Sequence, residues 1–271
     1  MPWAANALDA DLSNLESAAT VRLAATMSLL SCGAADTAGE VIGRPELANI
    51  DFIPARRNDV VVGVLARKRA EEAPSQTVSE IMLPLHERML ASAGDPLLPV
   101  LERLDNEPSF KLVLSEGRIE GILTLSDLQK LPVRSVIFTR LTHLELLLRE
   151  VLLAVLDPND ERWLAHFAQE RQDLLKRWLK RARKRRNEVD LLEITSLADK
   201  RILVRARRVF GEDTDRFCER MEPIEVLRDP LAHAGGFAMD PEDARRVAKA
   251  IRELGELIGV ARSALHQKRT T

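Results

Sequence analysis

The chain is expected to fold as an α+β N-terminal half followed by an all-α C-terminal half. Three observations predict this. A strand-turn-strand pattern occurs twice, with Gly63-Val64-Leu65 and Gly121-Ile122-Leu123 in equivalent places 58 residues apart. After Leu131-Pro132 the apolar period becomes 3.6 and stays there. The two halves also carry opposite charge, with 12 Lys+Arg against 19 Asp+Glu before Arg134 and 28 against 23 from Arg134 onward. The expected division is therefore 1–133 and 134–271, and 271 residues is long enough for two domains.

Composition narrows the classes. Hydrophobic content of 45% with 30% charged residues is ordinary for a chain that buries a core. Cys32 and Cys218 stand far apart, so neither a zinc site nor a disulfide framework is indicated. No basic-then-apolar leader follows Met1 and no apolar run reaches 18 residues, so a soluble, cytoplasmic setting without a membrane is expected. Tyrosine is absent and aromatics are 4%, which argues against a base-stacking platform for single strands.

In the first half the second copy is clearer. Thr77–Met82 leads it, and Asp95–Leu104 reads as a helix with Asp95 as N-cap and Pro96 in the first turn. Phe110–Leu114 and Arg118–Leu123 read as strands joined by a Glu116-Gly117 turn, and Thr124–Leu128 opens a helix. In the first copy, 35–42 reads as the helix, Asn58-Asp59 as the turn and Val60–Leu65 as the strand, followed by Ala66-Arg67-Lys68-Arg69. A repeat of this period implies two similar units packed together.

Residues 15–133 resemble a CBS-domain pair, through Val78…Ile81-Met82 and Gly121-Ile122-Leu123-Thr124-Leu125-Ser126-Asp127. The resemblance implies a sensor that holds an adenine nucleotide, with Thr124 and Asp127 on the ribose. An Asp beside a helix start can accept from two hydroxyls, and helix N-terminal amides favour phosphate. The same Thr-x-x-Asp pattern is also a common helix cap without any ligand. The first copy departs, with Ala66 and Arg69 at those positions, although Arg67, Lys68 or Arg69 could meet a phosphate.

The second half predicts a long helix over 133–155 with Ile137, Leu141, Leu144, Leu148, Val151 and Leu152 on one face. The next helix is expected from Glu161, carrying Trp163, Phe167, Leu174, Leu175 and Trp178. It runs into Lys176–Arg186, where eight of eleven residues are basic. Within this run Lys180, Arg181, Arg183, Lys184, Arg185 and Arg186 are candidate RNA-backbone contacts; the plainer alternative is a solvated helix end. A further apolar helical set spans Leu191 to Val209, and another helix lies near 214–226. The last helix is expected from Pro241 to about His266, capped by Asp240.

The remaining candidate site is Arg228-Asp229-Pro230-Leu231-Ala232-His233. Histidine moves protons near neutral pH, and arginine holds phosphate with a planar fork. Together they meet the needs of RNA cleavage through the 2′-hydroxyl without a metal. Five residues on an ideal helix splay the two side chains by roughly 140°. They converge only if the helix bends or ends between them, or if a second copy completes the site.

With Leu144-Glu145-Leu146-Leu147-Leu148-Arg149 and Leu191…Leu197-Ala198-Asp199…Ile202, this motif resembles a HEPN domain over 134–262. The resemblance implies a helical bundle that dimerises, with Arg228 and His233 catalytic and Asp229 at the family's polar position, often Asn. It also implies a metal-independent endoribonuclease, often of defence or toxin–antitoxin systems with an antitoxin or regulatory partner. The whole chain would then be an adenine-nucleotide sensor controlling an RNA-cleaving homodimer. The alternative is a non-catalytic dimerising regulator whose bundle binds a protein or nucleic-acid partner. A nucleotide-transfer enzyme lacks its carboxylate-pair and glycine-loop signatures.

Overall fold

A computed structural model describes residues 5–104, 108–185, 189–232, 236–238 and 240–270. The elements in chain order are α1 (Ala5–Ala18), α2 (Val21–Ala24), β1 (Cys32–Gly33), α3 (Ala38–Ile42), β2 (Phe52–Arg57), β3 (Val60–Ala66), α4 (Arg67–Glu72), α5 (Val78–Ile81), β4 (Leu83–Pro84), β5 (Leu90–Ser92), α6 (Leu97–Leu101), β6 (Phe110–Ser115) and β7 (Arg118–Thr124). Five more helices follow: α7 (Leu131–Leu153), α8 (Gln169–Lys184), α9 (Leu197–Ala206), α10 (Thr214–Ala232) and α11 (Pro241–Thr270). The chain divides into an α+β unit of 16–133 with 238–245, and a helical unit of 1–15, 134–237 and 246–271.

The α+β unit holds two mixed sheets, ordered β1-β2-β3-β4 and β5-β6-β7. The 58-residue repeat extends to local detail. The β2–β3 and β6–β7 hairpins both shift register, between Ala55 and Arg56 and between Val113 and Leu114. Both turn through positive φ, at Asn58-Asp59 and Glu116-Gly117. The equivalent rings Phe52 and Phe110 meet at 4.6 Å in a core shared with Val61, Val64 and Leu112.

The copies are interlocked. Leu83 and Pro84 precede the second copy yet pair with Val64 and Gly63 of the first sheet. Thr26 precedes the first copy and bridges Ile122 of the second. Two glycines make room for these crossings. A Cβ on Gly63 would lie 2.5 Å from the Leu83 carbonyl, and one on Gly121 would lie 2.8 Å from Met27 Sδ and 3.0 Å from the Thr26 carbonyl. Val78, in the segment that leads the second copy, is buried in the core of the first.

Several elements differ from their sequence expectation. Helix α6 begins at Leu97 after Pro96; Asp95 is not its cap, because its carboxylate accepts the Ser92 amide at 2.8 Å and closes the preceding loop. The helix expected continuously from Glu161 is a 3-10 segment, Glu161–His166, then α8, broken by extended backbone at Phe167 and Ala168. Burial of Trp163 and Leu164 on the short segment and of Phe167 at the break explains a helix-like apolar pattern across it. Leu191 and Leu192 are buried but lie ahead of α9, which starts where Ser196 and Asp199 cap each other. The α10 helix runs past Val226 to Ala232, through Pro223 and Pro230.

In the helical unit Leu144, Leu148, Leu203, Met221, Ile251 and Leu254 are buried core residues. Ion pairs tie the elements together. Arg171 of α8 binds both oxygens of Asp199 on α9. Arg201 of α9 pairs with Glu222 and Glu225 of α10 at 3.0 and 2.8 Å, and Arg220 of α10 binds Glu253 and Glu256 of α11. Lys200 is 2% exposed and donates to Glu145 at 3.1 Å and the Thr195 carbonyl at 2.6 Å. Burial pulls its ammonium below the ordinary lysine value, against the attraction of Glu145. Among the described residues no helix is long and apolar enough to cross a membrane.

Candidate functional site

The α+β unit contains a pocket of about 1030 Å³. Its walls come from both copies. Asp51, Phe52, Ala66, Arg67 and Lys68 are contributed by the first, and Ile122, Thr124, Leu125, Ser126 and Gln129 by the second. Thr26 and Ser28 add hydroxyls, Glu71 adds a carboxylate, and Ala238, Asp240, Ala244 and Arg245 join the lining. Apolar walls with a few hydroxyls and charges suit a small organic ligand.

Of the two residues expected on a ribose, Thr124 lines this pocket. Asp127 is buried beside it and turned inward. One carboxylate oxygen accepts the Thr124 amide at 2.6 Å and its hydroxyl at 3.1 Å; the other meets Lys130 Nζ at 2.6 Å. This is a capping box on the 3-10 turn Leu125–Gln129. For Asp127 to take ribose hydroxyls, the Thr124 hydroxyl and Lys130 must yield their places.

The first copy's cations divide. Arg67 Nε donates to the Ile50 carbonyl at 3.1 Å, and its Nη2 donates to the Leu47 carbonyl. Arg69 donates to the Ile81 carbonyl at 3.3 Å. Lys68 is exposed and lines the pocket. Sequence reading missed Asp51 and Arg245 here. Arg245 lies 121 positions beyond Thr124, and nothing local to it signals a pocket.

In the helical unit, Arg228 lies in the last turns of α10 with its side chain 44% exposed. Asp229 Oδ1 is 3.6 Å from Arg228 Nη1. The helix does not end before Ala232, so a helix end between Arg228 and that position does not supply the convergence. His233 lies outside the described residues. Sequence reading also missed Arg134, whose Nη2 donates to the Pro230 carbonyl at 2.6 Å and whose guanidinium lies 4.8 Å from the Phe237 ring centre. A cation 96 residues away leaves no local signal.

The basic run occupies the C-terminal half of α8. Leu175 and Leu179 are buried, while Lys180, Arg181, Arg183, Lys184 and Arg185 are exposed. Arg186 lies outside the described residues. Arg171 stacks 5.3 Å from the centre of the Trp178 ring, which is 39% exposed. The α8 residues among them thus form a cationic face beside an aromatic edge, able to meet phosphates.

No family model matches this chain, and no curated protein does. Among solved structures the chain is similar to the CBS domain of the bacterial CNNM/CorC family Mg2+ transporter in complex with ATP, at 18% identity over 46% of this chain and 93% of that one, with a TM-score of 0.38. It is also similar to that family's CBS domain in a second structure, at 18% identity, 48% and 84% coverage and a TM-score of 0.38. The CBS domain NE2398 matches at 18% identity, 37% and 84% coverage and a TM-score of 0.33.

Proposed function

We propose that the α+β unit is a CBS-type sensor of an adenine nucleotide, and that it regulates the helical unit, a HEPN-type endoribonuclease. The observation that carries the sensor is the pocket into which both repeats contribute, with Thr124 on its wall. For the effector, the supporting features are the half-exposed Arg228 and the exposed cations of α8.

In this reading His233 takes the proton of an RNA 2′-hydroxyl. The 2′-oxygen bonds to the adjacent phosphorus, the bond to the 5′-oxygen breaks, and that oxygen receives a proton. Arg228 stabilises the charge that builds on the phosphate oxygens. The α8 cations hold the strand. A homodimer completes the site, with the Arg228–His233 motifs of two copies facing one cleft, in a defence or toxin–antitoxin setting where an antitoxin or other regulatory partner restrains it. The nucleotide acts by binding two arrangements of the chain with different affinity.

RNA incubated in chelator with the full chain, Arg228→Ala and His233→Ala tests the enzyme. Wild-type cleavage lost in both variants is expected; equal background in all three refutes it. Addition of ATP or AMP then tests regulation, and an unchanged cleavage rate refutes that part. One observation favours the non-catalytic alternative. Asp229 places a carboxylate beside Arg228, where it competes with a phosphate. If cleavage is absent while RNA or a protein partner is bound and the chain dimerises, the regulator reading holds.

A further inference from the structure

The pocket's lining extends beyond the two repeats. Asp240, Ala244 and Arg245 stand at the start of α11, and residues 238–245 belong to the α+β unit, whereas α11 itself continues to Thr270. Arg67 is committed to backbone carbonyls. Lys68 and Arg245 are the other two cations on the wall; both are exposed, and among the described residues neither takes part in an ion pair. Three acids also line the pocket. Asp240 accepts the Glu242 and Asp243 amides at 2.9 and 2.8 Å, capping its own helix. Asp51 and Glu71 remain for hydroxyl or amino groups. An uncommitted guanidinium in a pocket that also offers hydroxyls and carboxylates matches a ligand with a sugar at one end and phosphates at the other.

We infer that Arg245 is a phosphate-contacting residue of this pocket and that through it the bound nucleotide acts directly on helix α11. The inference rests on the adenine-nucleotide reading of the pocket. Helix geometry gives the contact a consequence. Glu256 lies eleven residues after Arg245 on the same helix, about 16 Å along its axis. Glu253 and Glu256 are the residues that hold Arg220, and Arg220 stands on α10, which carries Arg228. A phosphate that draws on Arg245 therefore pulls on the helix whose next turns grip α10.

The test is calorimetric titration of the full chain with adenosine, AMP and ATP, for wild type, Arg245→Ala and Arg245→Lys. Charge-assisted contacts to phosphate are worth enough that Arg245→Ala should weaken ATP binding about tenfold or more, leave adenosine binding unchanged, and be partly rescued by Arg245→Lys. Equal ATP affinity in wild type and Arg245→Ala overturns the inference and spares the pocket reading. An equal loss for all three probes also overturns it, since Arg245 would then only shape the cavity. If wild type binds none of the three, the nucleotide reading of the pocket falls, and this inference with it.

Discussion

Arg134 Nη2 donates to the Pro230 carbonyl at 2.6 Å while the same guanidinium lies over the Phe237 ring at 4.8 Å. One cation near the start of α7 thereby holds the chain within the Arg228–His233 motif, at Pro230, and beyond it, at Phe237. Proline at 230 has no amide to give the Val226 carbonyl, so this last turn of α10 is short of one helical bond. The Arg134 contact restrains a helix end that is intrinsically weakened.

Arg134→Ala should lower stability by about 1–2 kcal/mol, since it removes a charged hydrogen bond and a ring contact. Arg134→Lys should fall between the two, because a lysine keeps the charge and loses the fork. Urea unfolding reads this. A stability equal to wild type in both variants would show that the clamp is not needed.

Gly121→Ala should destabilise the chain by about 1–3 kcal/mol, the range for overfilling a packed site. The added Cβ meets Met27 Sδ and the Thr26 carbonyl, in the segment that bridges Ile122. Gly63→Ala should be at least as costly, because its nearest atom is the Leu83 carbonyl at 2.5 Å. By contrast, Gly259→Ala in α11 meets nothing within 4 Å and should be neutral or slightly stabilising. Thermal midpoints of the three variants give the comparison, and equal midpoints would contradict it.

Asp199 supplies an acid-sensitive tie between α8 and α9. Burial raises its carboxyl, but the Arg171 fork and the Ser196 donors outweigh that and leave it below the ordinary value of 3.8. A depressed folded-state value means that the unfolded chain binds the proton more readily. The stabilisation is present above the unfolded value and is lost as pH falls through the folded one. Asp199→Asn should therefore be less stable than wild type by about 2 kcal/mol at neutral pH. The gap should close only at acid pH, below 3.8. A gap independent of pH down to that range and beyond would assign the loss to packing instead.

If α8 meets an RNA backbone, the double change Arg183→Glu with Lys184→Glu should weaken RNA binding. It should also flatten the salt dependence, reducing the slope of log affinity against log salt by about 1–2 for two lost phosphate contacts. Filter binding across a salt series measures both. An unchanged slope would show that this face is merely solvated.

The α+β repeat, the switch to helical period and the cap at Asp240 were legible in the sequence, because neighbours within a few residues decide them; the cap at Ser196 was not, because buried Leu191 and Leu192 ahead of it imitate an earlier helix start. The hairpin turns were also legible at the 58-residue spacing, whereas the matching register shifts came only with the structure. Less legible were short strands such as Leu83-Pro84, which have too few residues for a periodicity. The same holds for the break at Phe167-Ala168, where buried residues on both sides imitate one continuous helix.

By itself the sequence determined the two kinds of architecture, the opposite charge of the halves and the candidate residues Thr124, Asp127, Arg228 and His233. Only the tertiary structure decided that each repeat's leading segment edges the other's sheet, that Asp127 turns inward to cap its own turn, and that Arg245 lines the same pocket as Thr124. It also decided that Arg134 grips the Arg228 stretch from 96 residues away. Local pattern is set by the steric and hydrogen-bonding demands of adjacent residues. Partners distant in sequence are selected by packing, which no window along the chain contains.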